Sequence, residues 1–422
     1  MEPFDRRALS LAAWERDQQP DAPAPLWEQV QRGTREQVMY RTLRAHPERA
    51  FYFLNEAALQ GQARRLAAHF LPDRDYAHLA YAMKANPHTR VLTLLGDAGI
   101  HVLDCSSVGE VEVARATVPQ SKLMFNHPTR FDEEYRSAAQ QGVQHFTVES
   151  REDAERVLEA LHLASNADEK DLELVMRVQT LNPGAAINLS EKFGASPEEA
   201  RDTLLWLKRT TNLRVGLAMN VGSQNTDPRA YESALKQLGN LAHDVGGVEV
   251  INMGGGLPVN LRPEDDYDQT EFLDRISHTF RTIENHALAP DPFVVIEPGR
   301  AVVAESIDLV IPVVSIRTHA GAPPRVHMDD GVFTSFSDYV LHDWEYPLQP
   351  LRVSGTTFST PSRPYHLWGR TCDSGDELGV RELPHDFNRN DYLWVLHAGA
   401  YMSAQATKFN NYLPHSYIPY HP

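Results

Sequence analysis

Three sets of residues, far apart in the chain, carry the side-chain types that catalysis needs. Lys84 stands in Tyr81-Ala82-Met83-Lys84-Ala85-Asn86, at the end of an apolar run. A lysine so placed is ordinarily solvated or ion-paired; desolvated, its pKa falls and its amine becomes a carbonyl-seeking nucleophile. Gly254, Gly255 and Gly256 follow a second apolar run. Lacking Cβ atoms, they let the backbone approach a ligand and turn N–H groups toward a phosphate. Three glycines alone make a plain turn just as readily. Arg300, after a third apolar run, offers a rigid fork of donors to the same anion and favours the cradle. Glu297, just before it, has the carboxylate needed to keep a ring nitrogen protonated. The third set is Thr371-Cys372-Asp373-Ser374-Gly375-Asp376, in which Cys372 is one of only two cysteines.

The elements that would hold these residues follow a regular rhythm. Candidate strands lie at 78–83, 100–104, 121–125, 144–148, 172–178, 213–219, 248–252 and 293–297, with helix-patterned segments such as EDAERVLEALHLA between them. Ser196-Pro197-Glu198-Glu199 reads as a capped helix start. Strands alternating with helices imply parallel pairing, and eight of them imply an α/β fold of the (β/α)8 TIM-like barrel kind. Barrels place chemistry at the C-terminal strand ends. Those ends carry Lys84, Asp104, Asn126 and His127, Glu149, Asn220 to Ser223, Gly254 to Gly256, and Glu297 to Arg300, with Arg177 near the end of the fifth strand. The glycines and Arg300 follow strands seven and eight, where barrels frequently bind phosphate. A nucleophilic lysine, a phosphate cradle and an acid for a pyridine nitrogen are the requirements of pyridoxal 5′-phosphate. That cofactor is expected, with no metal.

Past about residue 305 the texture becomes β-rich, as in SIDLVIPVVSIRT and YLWVLHAGAY, with Pro, Gly, Ser and Thr between the runs. The expected organisation is therefore a cofactor-binding barrel over 51–305 and a C-terminal antiparallel β domain over 306–422. Residues 1–50 are expected to form an arm packed on the β domain, with Pro20 to Pro25 as a local spacer.

Length and charge exclude several classes. A chain of 422 residues accommodates two domains, and 42% hydrophobic with 23% charged residues is the composition of a globular protein. The formal charge of −17, spread along the chain, argues against nucleic-acid or anionic-membrane partners and is compatible with small cationic substrates. No apolar run approaches the roughly 20 residues of a membrane helix. The opening MEPFDRRALSLAAWERDQQP lacks signal-peptide features, and two cysteines build no disulfide framework, so a cytoplasmic location is expected.

At YAMKAN, GGG, EPGR, CDSGD and GAY the chain resembles the pyridoxal-phosphate-dependent ornithine/diaminopimelate/arginine decarboxylases with an alanine-racemase-like (fold type III) barrel, most closely the ornithine type. The resemblance runs from about residue 48 to 412 with the motifs in order. It implies that Lys84 is the Schiff-base lysine and that Glu297 meets the pyridine nitrogen. It assigns Ser223, Gly254, Gly255, Gly256, Arg300 and Tyr401 to the phosphate, and Asp104, Glu110, Arg177 and Asn220 to the cofactor's surroundings. Alanine racemases have arginine in place of Glu297 and lack CDSGD, so racemisation is disfavoured. By the same resemblance Cys372 protonates the carbanion left by CO2 in the partner subunit's site. Asp373, Phe409, His342 and Asp343 line the substrate's distal end. The implied assembly is a homodimer with shared active sites.

Three departures stand out. Asn220 replaces the family's usual stacking histidine, in Asn220-Val221-Gly222-Ser223; His342 stands nearest the ornithine type's second substrate aspartate, with Asp343 next to it; and Ser374-Gly375-Asp376 with Gln224 look diaminopimelate-like. The expected reaction is decarboxylation of a basic diamino acid, ornithine- or lysine-like, to an amine of polyamine metabolism. The alternative is diaminopimelate or a conjugated diamino acid of polyamine or siderophore biosynthesis. A more distant alternative is a non-catalytic regulator of the antizyme-inhibitor kind, disfavoured because the lysine, phosphate set and cysteine are all present.

Overall fold

The computed structural model describes residues 31–32, 34–45, 49–164, 169–181, 184–261, 265–342, 344–412 and 415–421. Contacts divide the chain into two compact units, one comprising Ala58–Ser306 with Gly399–Ala404, the other Met1–Ala57, Ile307–Ala398 and Gln405–Pro422.

The first unit is a closed barrel of eight parallel strands: Ala77–Ala82, Val102–Cys105, Lys122–Phe125, His145–Val148, Glu173–Arg177, Arg214–Ala218, Val248–Asn252 and Leu288–Ile296. Closure is made by Val294–Ile296 pairing with Ala77–Leu79. All eight coincide with runs expected to be strands, the last beginning five residues earlier, at Leu288 rather than 293. One residue from most strands, among them Ala80, Met124, Val175, Ala218 and Val250, meets Phe293 and Val295 in the barrel interior. Helices cover the outside, and their starts explain why the segments between strands fold as they do. Ser196 accepts the Glu199 N–H while Glu199 accepts the Ser196 N–H, a reciprocal cap with Pro197 in the first turn. Asp227 and Asp268 cap the helices Pro228–Asp244 and Gln269–Ala287 one way only, accepting the Arg229 and Thr270 N–H groups.

The second unit is a mostly antiparallel sheet built around the strand Ile307–His319. That strand pairs with Phe51–Asn55, with Asp391–Val395 and, further along, with Ala322–Met328. Three pairings are parallel: Gln31–Arg32 with Ser416–His421, that strand with Phe51–Asn55, and Ala322–Met328 with Ser362–Trp368. The helix Arg35–Ala45 buries Val38, Met39 and Leu43 against Phe51, Phe53, Tyr392 and Tyr420.

Two boundaries differ from the expected ones. Phe51–Asn55, inside the range assigned to the barrel, is a sheet strand. Its first four residues, Phe51 to Leu54, are buried, and the barrel already closes with eight other strands. Gly399–Ala404, inside the range assigned to the β domain, belongs to the barrel unit. There the Tyr401 N–H donates to the Ala85 carbonyl, and Asn86 donates to the Gly399 carbonyl.

Candidate active site

The C-terminal ends of the barrel strands converge on one cavity, lined by Lys84, Asn220, Ser223, Gly255, Gly256, Glu297, Arg300 and Tyr401 among others. Lys84 follows the first strand in a single 3-10 turn, Met83–Ala85. Its Nζ lies 2.7 Å from Asp104 Oδ2, and the carboxylate is buried while the lysine side chain keeps 46% exposure. Burial pulls the ammonium pKa down, but the charge of Asp104, and then of Tyr401 and Glu297, outweighs it and holds Lys84 above the ordinary lysine value. The expectation of a lowered lysine pKa from desolvation is therefore corrected: a buried counter-charge in hydrogen-bond contact wins over desolvation.

The phosphate-binding expectation has a geometric basis. Gly254 and Gly256 have φ of +64° and +109°. A Cβ on Gly254 would stand 2.2 Å from the Met219 carbonyl oxygen, and one on Gly256 2.1 Å from that of Gly222. Only glycine fits such close backbone approach. The carbonyls of this loop are used, Gly255 accepting from Tyr231 OH and Gly256 from the Asn225 N–H. The N–H groups of Gly255 and Gly256 make no backbone hydrogen bond among the described residues. Arg300 opens a short helix after the eighth strand, buried, with its guanidinium 4.6 Å above the Tyr401 ring. Two backbone donors, a serine hydroxyl, a buried guanidinium and a phenol at one rim suit a phosphate dianion.

Glu297 is 7% exposed, and Asn126 and Asn252 both donate to its Oε1, the latter at 2.6 Å. Burial, then the neighbouring Asp104 charge, pushes its carboxyl up to about 7, against Lys84 and the Asn252 hydrogen bond. The cationic pyridine ring nitrogen of pyridoxal phosphate is the partner that such a carboxylate fits. The residues present thus fit that group, and Asp104 Oδ1, buried and without a hydrogen-bond partner among the described residues, adds a second acceptor.

The remaining expected residues occupy varied places. Arg177 Nε lies 4.0 Å from Glu149 Oε1, with the guanidinium over the Phe193 ring. Glu110 turns back to accept the Ser106 N–H at the start of its own helix. Asn220 accepts the Gly222 N–H at 2.9 Å, so it shapes the turn into Ser223, a task different from stacking on a ring.

Cys372, Asp373, Phe409 and His342 belong to the sheet unit. Cys372 and Asp373 are exposed in one turn, where Asp373 accepts the Gly375 N–H. Phe409 stacks on Phe333 with ring centroids 4.7 Å apart. Asn410 grips Cys372 twice, accepting from its N–H at 2.9 Å and donating to Sγ at 3.2 Å. Buried Asp376 ties the same turn to Val332. His342 ends the helix Ser337–His342 and packs against Trp344. Asp343 lies outside the described residues. Cys105 is buried in the barrel unit, its thiol donating to Met83 Sδ.

Sequence reasoning counted Asn126 among the polar strand ends without giving it a specific role, and passed over Asn252 and Asn410. The first two carried a usable signal, an amide at the C-terminal end of a barrel strand. Asn410 carried none.

Residues 58–304 match the family described as pyridoxal-dependent decarboxylase, pyridoxal binding domain. The lysine/ornithine decarboxylase of Selenomonas ruminantium is 29% identical over 341 residues, 80% of this chain and 81% of that protein. The structure of lysine/ornithine decarboxylase from Vibrio vulnificus complexed with putrescine superposes with a TM-score of 0.76 at 26% identity, covering 92% of this chain and 98% of that one. Antizyme inhibitor 2 of Xenopus laevis is 25% identical over 363 residues, 79% of this chain and 73% of that protein.

Proposed function

Because the chain belongs to the pyridoxal-dependent decarboxylases, we propose that it removes the α-carboxyl group of a basic diamino acid, ornithine- or lysine-like, with Lys84 as the cofactor-bearing lysine. The cofactor is pyridoxal 5′-phosphate, and the chain is an amino-acid decarboxylase. The observation that carries the proposal is the meeting, at one barrel mouth, of Lys84, Glu297 and the glycine–arginine cradle.

Bound there, the cofactor supplies an aldehyde for amines and a pyridinium ring that accepts the electrons left by CO2. Gly255, Gly256, Ser223, Arg300 and Tyr401 hold its phosphate. Glu297 presents a carboxylate to the ring nitrogen and keeps it protonated. Asp104 holds the Lys84 amine in place through the 2.7 Å contact. Cys372 carries, on Sγ, the proton that replaces CO2 at the substrate's Cα, acting in a neighbouring chain's site. Asp373, in the same exposed turn, recognises the distal ammonium.

Support for a diamino substrate comes from Asp373 and from the lysine/ornithine activity named for the relatives. A second reading, a diamino acid conjugated or extended at its distal end, is favoured by His342 standing where a second carboxylate is expected. The test is a panel of ornithine, lysine, diaminopimelate, conjugated diamino acids and norleucine, scored by amine formed. Turnover of diamino acids at least about 100-fold above norleucine is expected, from the worth of one desolvated charge pair. Equal turnover of norleucine would remove the basic-substrate reading.

A further inference from the structure

The buried hydrogen bonds around Glu297 form a closed arrangement. Asn126, after the third strand, and Asn252, ending the seventh, both donate to Glu297 Oε1. Each amide is held at its other end. Asn252 Oδ1 accepts the Gly254 N–H at 2.9 Å, and Asn126 Oδ1 accepts from Thr147 Oγ1 at 2.7 Å. A backbone N–H can only donate, so Asn252 must show its oxygen to Gly254 and its nitrogen to Glu297. Glu297 Oε2 receives no protein donor among the described residues, and Glu297 lines the cavity. A further bond, from the Glu297 N–H to the Gly254 carbonyl at 2.7 Å, makes the tie between acid and glycine loop double.

Two neutral amides donating to one oxygen favour the ionised carboxylate and oppose the burial that favours the protonated one. They also leave the other oxygen as the acceptor for a cationic ring nitrogen. From this geometry we propose that Asn126 and Asn252 are positioning residues that favour the ionised form of Glu297 and leave Oε2 toward the cofactor ring, and that Asn252 sets the acid and the phosphate-binding glycines in register. Thr147 fixes the Asn126 amide. The inference rests on Glu297 being the partner of the ring nitrogen, and the test separates the two.

Cofactor-free protein is titrated with pyridoxal 5′-phosphate and with its 1-deaza analogue, in which CH replaces the ring nitrogen. Both carry the same aldehyde and phosphate, so the ratio of their dissociation constants reads the acid contact alone. Asn126→Leu removes one donor without adding charge. Asn252→Asp keeps an acceptor for Gly254 but sets a second carboxylate against Glu297, and the pair must take up a proton. Each variant should lower the preference for the natural cofactor roughly tenfold, the worth of one hydrogen bond to a charged group. Thr147→Val should lower it about two- to threefold, as a neutral hydrogen bond one step removed. In Asn126→Leu the affinity for the 1-deaza analogue should stay within about twofold of wild type, because the cradle is untouched. A preference unchanged in both asparagine variants, or a parallel loss of both affinities, overturns the proposal. Glu297→Gln is the control: if it keeps the wild-type preference, the assignment of Glu297 fails and the bracket fails with it. If it abolishes the preference while the asparagine variants retain it, the bracket alone fails.

Discussion

Burial disfavours the charged form of both groups at the barrel mouth, which pushes their pKa values in opposite directions. For Lys84 it disfavours the charged form but loses to the Asp104 contact, whereas for Glu297 it dominates and lifts the carboxyl to about 7. The Glu297 pKa is raised above its unfolded value, so its contribution favours the fold below the unfolded pKa and is lost as pH climbs through about 7. In the cofactor-free protein, Glu297→Gln, which mimics the protonated form, should therefore gain stability over wild type as pH rises from about 4.5 to 7.5. The gain should reach about 3 kcal/mol at most, read from urea midpoints across that range. A constant difference would mean that the fold leaves the Glu297 pKa unshifted. The second prediction at this scale concerns Cys372. If its Sγ supplies the proton to Cα, Cys372→Ala should slow amine formation about 100-fold and shift products toward aldehyde and aminated cofactor. Chromatography of both products checks this, and an unchanged partition would remove the thiol from that role.

Among the elements, the loops and caps divide stability from chemistry. The Ser196–Glu199 reciprocal cap lies on a helix whose residues take no part in the cavity. Ser196→Ala should cost about 1 kcal/mol in urea unfolding and leave kcat/KM within about twofold. Gly256→Ala should do the reverse. Its Cβ would collide with the Gly222 carbonyl at 2.1 Å, and φ of +109° is unsuited to alanine. The loop must open, and cofactor affinity should fall at least about tenfold while far-UV circular dichroism is retained. Retained affinity would show that the glycine N–H groups are not part of the cradle. The glycine run was legible because its position after a strand already carries meaning. Its necessity was not, because the colliding atoms belong to the loops after the sixth and eighth strands.

For the molecule as a whole, the sheet unit exposes Cys372, Asp373 and Phe409, and the barrel unit collects Lys84, Glu297 and Arg300. The proposed assembly is a two-fold homodimer in which each site takes its cofactor set from one chain and Cys372 from the other. Lys84→Ala and Cys372→Ala homodimers then carry one defect in every site. After subunit exchange of equal amounts, half the dimers are mixed, and each mixed dimer has one site free of defects. Activity should return to about a quarter of wild type. No recovery despite exchange, demonstrated by mass spectrometry of tagged chains, would place the whole site in one chain. Among the described residues no helix is long and apolar enough to cross a membrane.

Strand count and strand ends were readable in the amino-acid sequence alone, because period, apolar runs and residue type are local properties. Lys84, Gly254 to Gly256, Glu297 and Arg300 announce themselves by sitting just past such runs. Tertiary structure alone decided three things. Phe51–Asn55 joined the sheet because its partners lie more than 250 residues away, at Ile307–Val310. Lys84 kept a high proton affinity because Asp104, 20 residues on, is brought to 2.7 Å by strand pairing. Asn126 and Asn252 met on one carboxylate oxygen because a closed barrel turns strand ends distant in sequence toward a common centre, and no local pattern encodes that convergence.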